Sequence, residues 1–259
     1  MTQQPTTATT VDWRAYGAVL FDLDGVITPT AVVHRAAWSE MFTSFLAAHG
    51  ARLAGGPVAP YAEADYFAHV DGKPRYDGVR DFLASRGIRL PEGTPSDPAG
   101  SDGLSVRSLG DAKNAAFNAV LERDGVTPYP GSVLLLDHLA SLGLPLAVVS
   151  SSANAPAVLT AAGLLDRFGT VVDGRVATEL GLPGKPAPDT FVHAATVLDT
   201  SPGRAVVLED AVSGVAAGAS GDFGLVIGVD RGAGPETLLA AGAHLVVADL
   251  ADLAPSDEH

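Results

Sequence analysis

Cysteine is missing altogether from this 259-residue chain. That excludes a disulfide framework and thiolate metal sites, and it is compatible with a reducing, cytoplasmic setting. Cations are scarce: 16 Lys and Arg stand against 30 Asp and Glu, for a net charge of −14. So acidic a balance argues against nucleic acid or an anionic membrane as partner, because both demand a basic face. No apolar run approaches the roughly 20 residues needed to span a bilayer. The opening Met1 to Thr10 lacks a basic stretch followed by an apolar one, so it reads as a loose tail and not as a secretory signal. Internal repeats are also lacking. With 47% hydrophobic residues the chain can bury a large core without staples.

Against that plain background, one tetrapeptide carries chemistry. The apolar run Ala18 to Phe21 reads as a buried strand and is closed by Asp22-Leu23-Asp24-Gly25. Side chains alternate along a strand, so Asp22 and Asp24 emerge together at its C-terminal end. Two neighbouring acids there call for a cation. Mg²⁺, held by carboxylates together with substrate phosphate, is the usual answer, and it leaves one Asp free to attack phosphorus. Acids that merely cap the next turn are the blander alternative.

Three further groups follow in order. The run Pro145 to Val149 ends in Ser150, Arg204 to Leu208 ends in Glu209-Asp210, and between them a Gly/Pro-rich loop carries Lys185 before Pro186. Each has a structural reading: a turn serine, a solvated lysine, a helix-capping acid pair. In an open parallel sheet, however, residues remote in sequence converge outside the carboxyl ends of the strands.

From about Gly17 to Leu250 the sequence resembles the haloacid dehalogenase superfamily, and within it the β-phosphoglucomutase-like subgroup. The resemblance rests on Asp22-Leu23-Asp24-Gly25-Val26-Ile27-Thr28, Thr30, His34, Trp38, Lys185-Pro186-Ala187-Pro188-Asp189 and Leu208-Glu209-Asp210. It implies an aspartyl nucleophile at Asp22 and a general acid/base at Asp24. It implies a phosphoryl-binding hydroxyl at Ser150, a neutralising lysine at Lys185, and a Mg²⁺ site drawn from Asp22, Asp24, Glu209 and Asp210. It further implies substrate contacts from Thr30, His34, Arg75, Lys113, Asn114, Ser152 and Asn154. Ala153 departs from the subgroup, which has a lysine there, and Pro29 stands where an acid is common.

The activity implied is interconversion of β-D-glucose 1-phosphate and D-glucose 6-phosphate through a bisphosphate. The alternatives are a sugar-phosphate phosphatase with the same core residues and a non-catalytic phosphometabolite-binding protein. The expected partner is a small phosphorylated sugar, taken up by a monomer.

The expected fold is a Rossmann-like, mostly parallel three-layer α/β sandwich over 15–29 and 128–252, interrupted by a helical cap over 30–127, with tails at 1–12 and 253–259. Apolar spacing predicts a helix from about Ala31 to His49 stopped by Gly50, then helical stretches at Tyr61 to Phe67 and Tyr76 to Arg86. Another begins near Ser108 or Asp111, with Ala116, Phe117, Val120 and Leu121 on one face. Pro91 to Ser101 reads as a surface loop. Beyond Gly131, helices at Val133 to Leu142, Ala155 to Ala162 and Phe191 to Leu198 alternate with strand-like runs. In the turn Asp71-Gly72-Lys73-Pro74-Arg75, Arg75 is the better phosphate anchor and Lys73 the weaker, since a guanidinium grips phosphate in bidentate fashion.

Overall fold

The computed structural model describes residues 11–100 and 104–255; the expected tail segments 1–10 and 256–259 lie outside them. Six strands, β1 (Ala18–Phe21), β2 (Leu146–Val149), β3 (Thr170–Val172), β4 (Ala205–Glu209), β5 (Leu225–Val229) and β6 (Leu245–Val247), form one parallel sheet in the order β3-β2-β1-β4-β5-β6. Every residue of β1, β2 and β4 is buried, as expected of a parallel sheet covered on both faces. Alternation sorts their side chains into two layers. Val19, Phe21, Val148 and Leu208 pack on one side with Leu135, Leu136 and Leu139. Leu20, Ala147 and Val207 pack on the other with Phe191 and Val215. From β1 the chain winds outward to β3 and then returns to β4 on the other flank, so the carboxyl ends of β1 and β4 border the crevice where ligands bind in such sheets.

Eleven α-helices surround or extend the sheet among the described residues. Between β1 and β2 lie α1 (Thr30–Phe45), α2 (Ala51–Ala54), α3 (Glu63–His69), α4 (Arg75–Ser85) and α5 (Val106–Asp124). They share an apolar cluster of their own, built on Trp38, Phe42, Phe45, Phe82 and Leu109, with the Phe42 and Phe82 ring centroids 3.9 Å apart. The other six are α6 (Pro130–Ser141), α7 (Ala155–Ala161), α8 (Gly174–Leu180), α9 (Asp189–Val197), α10 (Val212–Ser220) and α11 (Pro235–Ala240). No helix is long and apolar enough to cross a membrane among the described residues.

Several sequence expectations shift. Gly50 does not stop the first helix: it keeps helical angles within a π-helical turn, Leu46–Gly50, that runs on into α2. Close packing explains the glycine, since a Cβ there would sit 2.8 Å from Val58 Cγ2. The true stop is Gly55, left-handed at φ 75°, as a helix C-terminus favours. Helix α5 begins earlier than Ser108 because Ser105 caps it. The Ser108 N–H donates to Ser105 Oγ at 3.1 Å and the Ser105 N–H to Ser108 Oγ at 3.2 Å, a reciprocal capping box. Its buried face carries Leu109, Lys113 and Phe117, while Ala116, Val120 and Leu121 are half-buried. Helices α8, α10 and α11 form where apolar spacing marked none. Leu253, expected in a tail, is buried, and its carbonyl accepts the Trp13 indole N–H at 3.2 Å.

Candidate active site

Asp22 directly follows β1, and its N–H continues the ladder to Leu208 O at 2.9 Å. Lys185 arrives beneath it from the loop before α9. Its ammonium donates to Asp22 Oδ1 at 2.5 Å, Glu209 Oε1 at 2.5 Å and Val149 O at 2.9 Å, which uses its three donors in full. Glu209, the last residue of β4, accepts the Ala211 N–H on its other oxygen at 3.0 Å. Two glycines make room for these acids. A Cβ at Gly214 would fall 1.7 Å from Glu209 Oε1, and one at Gly25, which has φ 92°, 1.9 Å from Asp210 Oδ2.

Carboxylate oxygens of Asp22, Glu209 and Asp210 all lie within 4.8 Å of one another. Burial pushes the Asp22 carboxyl well up, and the charges of Glu209 and Asp24 add to this while Lys185 opposes it. Asp210 is raised likewise by burial, then by Asp71, Glu209 and Asp22. One lysine among so many acids leaves negative charge unanswered, so this oxygen-only donor set fits a hard divalent cation such as Mg²⁺.

Asp24, two residues on, belongs to a different neighbourhood. Its Oδ1 accepts the Thr30 hydroxyl at 2.5 Å and lies 3.3 Å from His34 Nε2, within ion-pair range but off hydrogen-bond alignment. Thr28 and Thr30 hydroxyls bond each other at 2.7 Å and hold this corner. Burial alone would raise Asp24; His34, Thr30 and Lys113 outweigh it and bring the carboxyl down to about 2. His34 stacks on Phe117 with centroids 4.0 Å apart, and its Nδ1 meets the Lys113 ammonium. Burial, followed by Lys113, lowers the histidine. Lys113 is no surface cation: it is 3% exposed, and burial followed by Arg75 pushes it down to about 7.

Arg75, the first residue of α4, is held by Asp111 Oδ1 at 3.3 Å and Asn114 Oδ1 at 2.8 Å. Asn154 Nδ2 donates to the same Asn114 oxygen at 2.7 Å across the cleft. Lys73, the weaker anchor, pairs with exposed Asp81 at 2.6 Å. Ser150, after β2, is buried, and its Oγ accepts the Ser152 N–H at 3.1 Å. Asp22, Asp24, Glu209, Asp210, Ser150 and Ser152 share one cavity with His34, Arg75, Lys113 and Asn114 of the helical insertion. Lys185, Thr30 and Asn154 stand outside the lining and donate to its members Asp22, Asp24 and Asn114 respectively.

Sequence reasoning missed Asp71, read only as part of a basic turn. It lines the same cavity, and burial raises its carboxyl to about 6, with Tyr66 opposing and Glu209 adding. Its backbone carbonyl accepts the Ser213 hydroxyl at 3.0 Å, and Gly72 O accepts the Ser151 hydroxyl at 2.7 Å. These bonds hold the insertion down, and the cavity beneath it is only about 70 Å³. The signal available was Gly72: at φ 68°, its absent side chain lets the turn approach Ala211 and Ser213.

Residues 16–222 match the haloacid dehalogenase-like hydrolase family. The chain belongs to that family. Within it the chain falls in the β-phosphoglucomutase-like subgroup. It is 46% identical over 241 residues to a β-phosphoglucomutase of Mycobacterium tuberculosis, covering 91% of this chain and 90% of that protein. A second β-phosphoglucomutase, from Bacillus subtilis, is 32% identical over 239 residues, covering 91% of each. A solved β-phosphoglucomutase from Clostridium difficile superposes with a TM-score of 0.72 at 24% identity, over 92% of this chain and 93% of that one. The chain is an enzyme of this family, and a phosphotransferase is in keeping with the acids and lysine gathered at the sheet edge.

Proposed function

We propose that the chain is a Mg²⁺-dependent phosphotransferase that interconverts β-D-glucose 1-phosphate and D-glucose 6-phosphate through a phosphorylated Asp22. The carrying observation is the polar seat where Arg75 and Asn114 of the insertion meet Asn154 of the core. A phosphatase acting on a monophosphate has no use for a second anion seat; a mutase, whose intermediate carries two phosphates, needs one. The β-phosphoglucomutase relatives support the same reading.

In this scheme Asp22 attacks phosphorus in line, with Lys185 compensating the charge of the acids and the Ser150 hydroxyl donating to a transferring oxygen. Mg²⁺, held by Asp22 and Asp210 with Glu209 beside them, would neutralise charge on the equatorial oxygens. Asp24, ionised at rest, takes the proton of the attacking sugar hydroxyl and returns it to the leaving oxygen. Lys113 and His34 stand behind it on the insertion. Segment 30–127 acts as a cap whose closure over 15–29 and 128–252 excludes water and favours transfer to sugar. The setting is cytoplasmic, and the working unit is a monomer.

A second reading has its own observation. Ala153, where the subgroup has a lysine, borders a wide groove, and a weaker hold on the far phosphate would favour hydrolysis by a sugar-phosphate phosphatase. Locating the phosphate tests the scheme at its root. Acid-quenched enzyme, taken during turnover with Mg²⁺, should carry phosphate on the peptide containing Asp22, and Asp22→Asn should carry none. Label on another residue, or none in the active wild type, would overturn the scheme.

A further inference from the structure

Two acids meet across the seam between insertion and core without a cation of their own. Asp210 follows β4 on the core side, Asp71 stands in the turn before α4 on the other, and both line the reaction cavity. The other acids there are answered. Lys185 is shared by Asp22 and Glu209, and Asp24 lies beside His34 and Thr30. The insertion's cations are engaged too: Arg75 pairs with Asp111, Lys73 with Asp81, and Lys113 meets His34. Neither Asp71 nor Asp210 takes part in an ion pair among the described residues.

Backbone contacts fix the two acids against each other. The turn that carries Asp71 is pinned to the start of α10, three residues beyond Asp210, because Asp71 O accepts the Ser213 hydroxyl at 3.0 Å. Gly72 lets the turn in: a Cβ there would fall 3.0 Å from Ala211 Cβ and 2.2 Å from Ser213 Oγ. The Ser151 hydroxyl donates to Gly72 O at 2.7 Å and ties the same turn to the loop after β2. Of the charges that reach Asp210, that of Asp71 weighs most, ahead of Glu209, Asp22 and Asp24. Arg35, Lys185 and the Tyr66 hydroxyl favour an ionised Asp71. Arg35 stays on the aromatic side, 6.0 Å from the ring centroids of both Tyr66 and Phe67.

Like charges drawn together out of water oppose the movement that joins them, and a cation between them turns that opposition into attraction. Asp71 belongs to the insertion, whereas Asp22, Glu209 and Asp210 belong to the sheet edge. We propose that Asp71 is a positioning residue that makes closure of the cap depend on the divalent cation: it holds the cap off the metal-free acids, and over the loaded site it draws the cap down and tightens the metal. By linkage, the factor that Asp71 adds to closure on loading is the factor it adds to metal affinity on closing. This role rests on the Mg²⁺ site and moving cap of the scheme above and is the same for a mutase and a phosphatase. Its effect is order, since the open core loads its metal before the cap seals it.

The test reads metal binding and cap position, with turnover left aside. In a chain without cysteine, Glu40→Cys on α1 and Glu236→Cys on α11, both exposed, accept a dye pair whose energy transfer reports closure. This labelled full-length parent, with Asp71→Asn or Asp71→Glu added, is titrated with Mg²⁺ alone, by calorimetry and by energy transfer. Mg²⁺ should raise transfer in the parent. Asp71→Asn should start with higher transfer in chelator, respond less to Mg²⁺, and bind the ion about fivefold or more weakly, within the ordinary range of coupling between sites. Asp71→Glu keeps the charge and should restore the response. A folding lesion would not close the cap without metal, so the higher starting transfer marks charge.

Unchanged Mg²⁺ affinity, or unchanged metal-driven closure, in Asp71→Asn would overturn this role. So would a metal-free Asp71→Asn more open than the parent, because Asp71 would then be holding the cap down. Should the parent take up no Mg²⁺ at all, the metal reading falls and this role with it. Should it take up Mg²⁺ that Asp71→Asn binds equally well, the metal reading stands and only this role falls.

Discussion

Lys185 and Lys113 are equally buried, each 3% exposed, yet their ammonium groups are driven in opposite directions. Lys185 sits at the sheet edge between Asp22 and Glu209, whose charges overcome its burial and hold it above the usual lysine value. Lys113 sits in the insertion against His34, with its Nζ 5.1 Å from the Trp38 ring centroid and 5.2 Å from that of Phe117. There burial and Arg75 bring it down to about 7. Burial sets the size of the stake and partners decide its sign. The core lysine is a fixed charge that neutralises acids, whereas the insertion's lysine can give up its proton near neutral pH.

The largest expected effect comes from removing the fixed charge. Lys185→Met leaves Asp22 and Glu209 buried without their cation, which should cost about 3–5 kcal/mol of stability and abolish turnover. Thermal unfolding would show it; a variant as stable as wild type would mean that the carboxylates simply take up protons. Asp22→Asn should lower turnover by several orders of magnitude with little change in stability, since the amide keeps the shape and loses the nucleophile. Next comes the seat on the insertion. Arg75→Ala should cost about tenfold to a hundredfold in kcat/KM for glucose 1-phosphate, and proportionally less for a small aryl phosphate lacking a second anion. Equal losses would make Arg75 a hinge or packing residue.

A subtler effect separates the two lysines by pH. Below about 7 Lys113 is protonated in both folded and unfolded chains, and the burial cost is present in full. Between about 7 and the usual 10.5 the unfolded chain binds more protons, so this residue makes stability rise with pH. Lys113→Met should therefore be stabilised relative to wild type near pH 7, with the difference shrinking towards pH 10. A pH-independent difference would contradict the lowered value. The smallest effect is expected at Ser105→Ala, about 1 kcal/mol from the lost cap of α5, read as a drop of about 2–4 °C in Tm.

The same division explains what the sequence revealed. Runs such as Ala18 to Phe21 and Arg204 to Leu208 are largely apolar and bounded by turns, so the strands and the acids closing them were legible at once. Asp22, Ser150, Lys185, Glu209 and Asp210 are each tied to a strand end or a Gly/Pro loop, which carries a local signal. The insertion gives weaker signals. Gly50 looked like a helix stop because composition cannot tell a glycine needed for close packing, against Val58, from one needed for positive φ, as at Gly55. Nothing local marks Lys113 as buried, because its burial depends on His34 and Trp38, brought over by α1. Asp71 and Thr190 escaped notice for the same reason: an acid in a basic turn and a threonine in a helix carry no local sign of the cavities they line. Helices α8, α10 and α11 are short, and their Gly- and Ala-rich stretches show little apolar periodicity.

The central claim is that the cap turns a phosphoryl-transfer core towards sugar and away from water, and product analysis tests it most directly. Full-length protein with Mg²⁺, β-D-glucose 1-phosphate and a trace of glucose 1,6-bisphosphate would be followed for glucose 6-phosphate and orthophosphate together. Stoichiometric conversion to glucose 6-phosphate, with orthophosphate at background, is the predicted result. Accumulation of orthophosphate in place of glucose 6-phosphate would contradict it and identify a phosphatase built on the same acids.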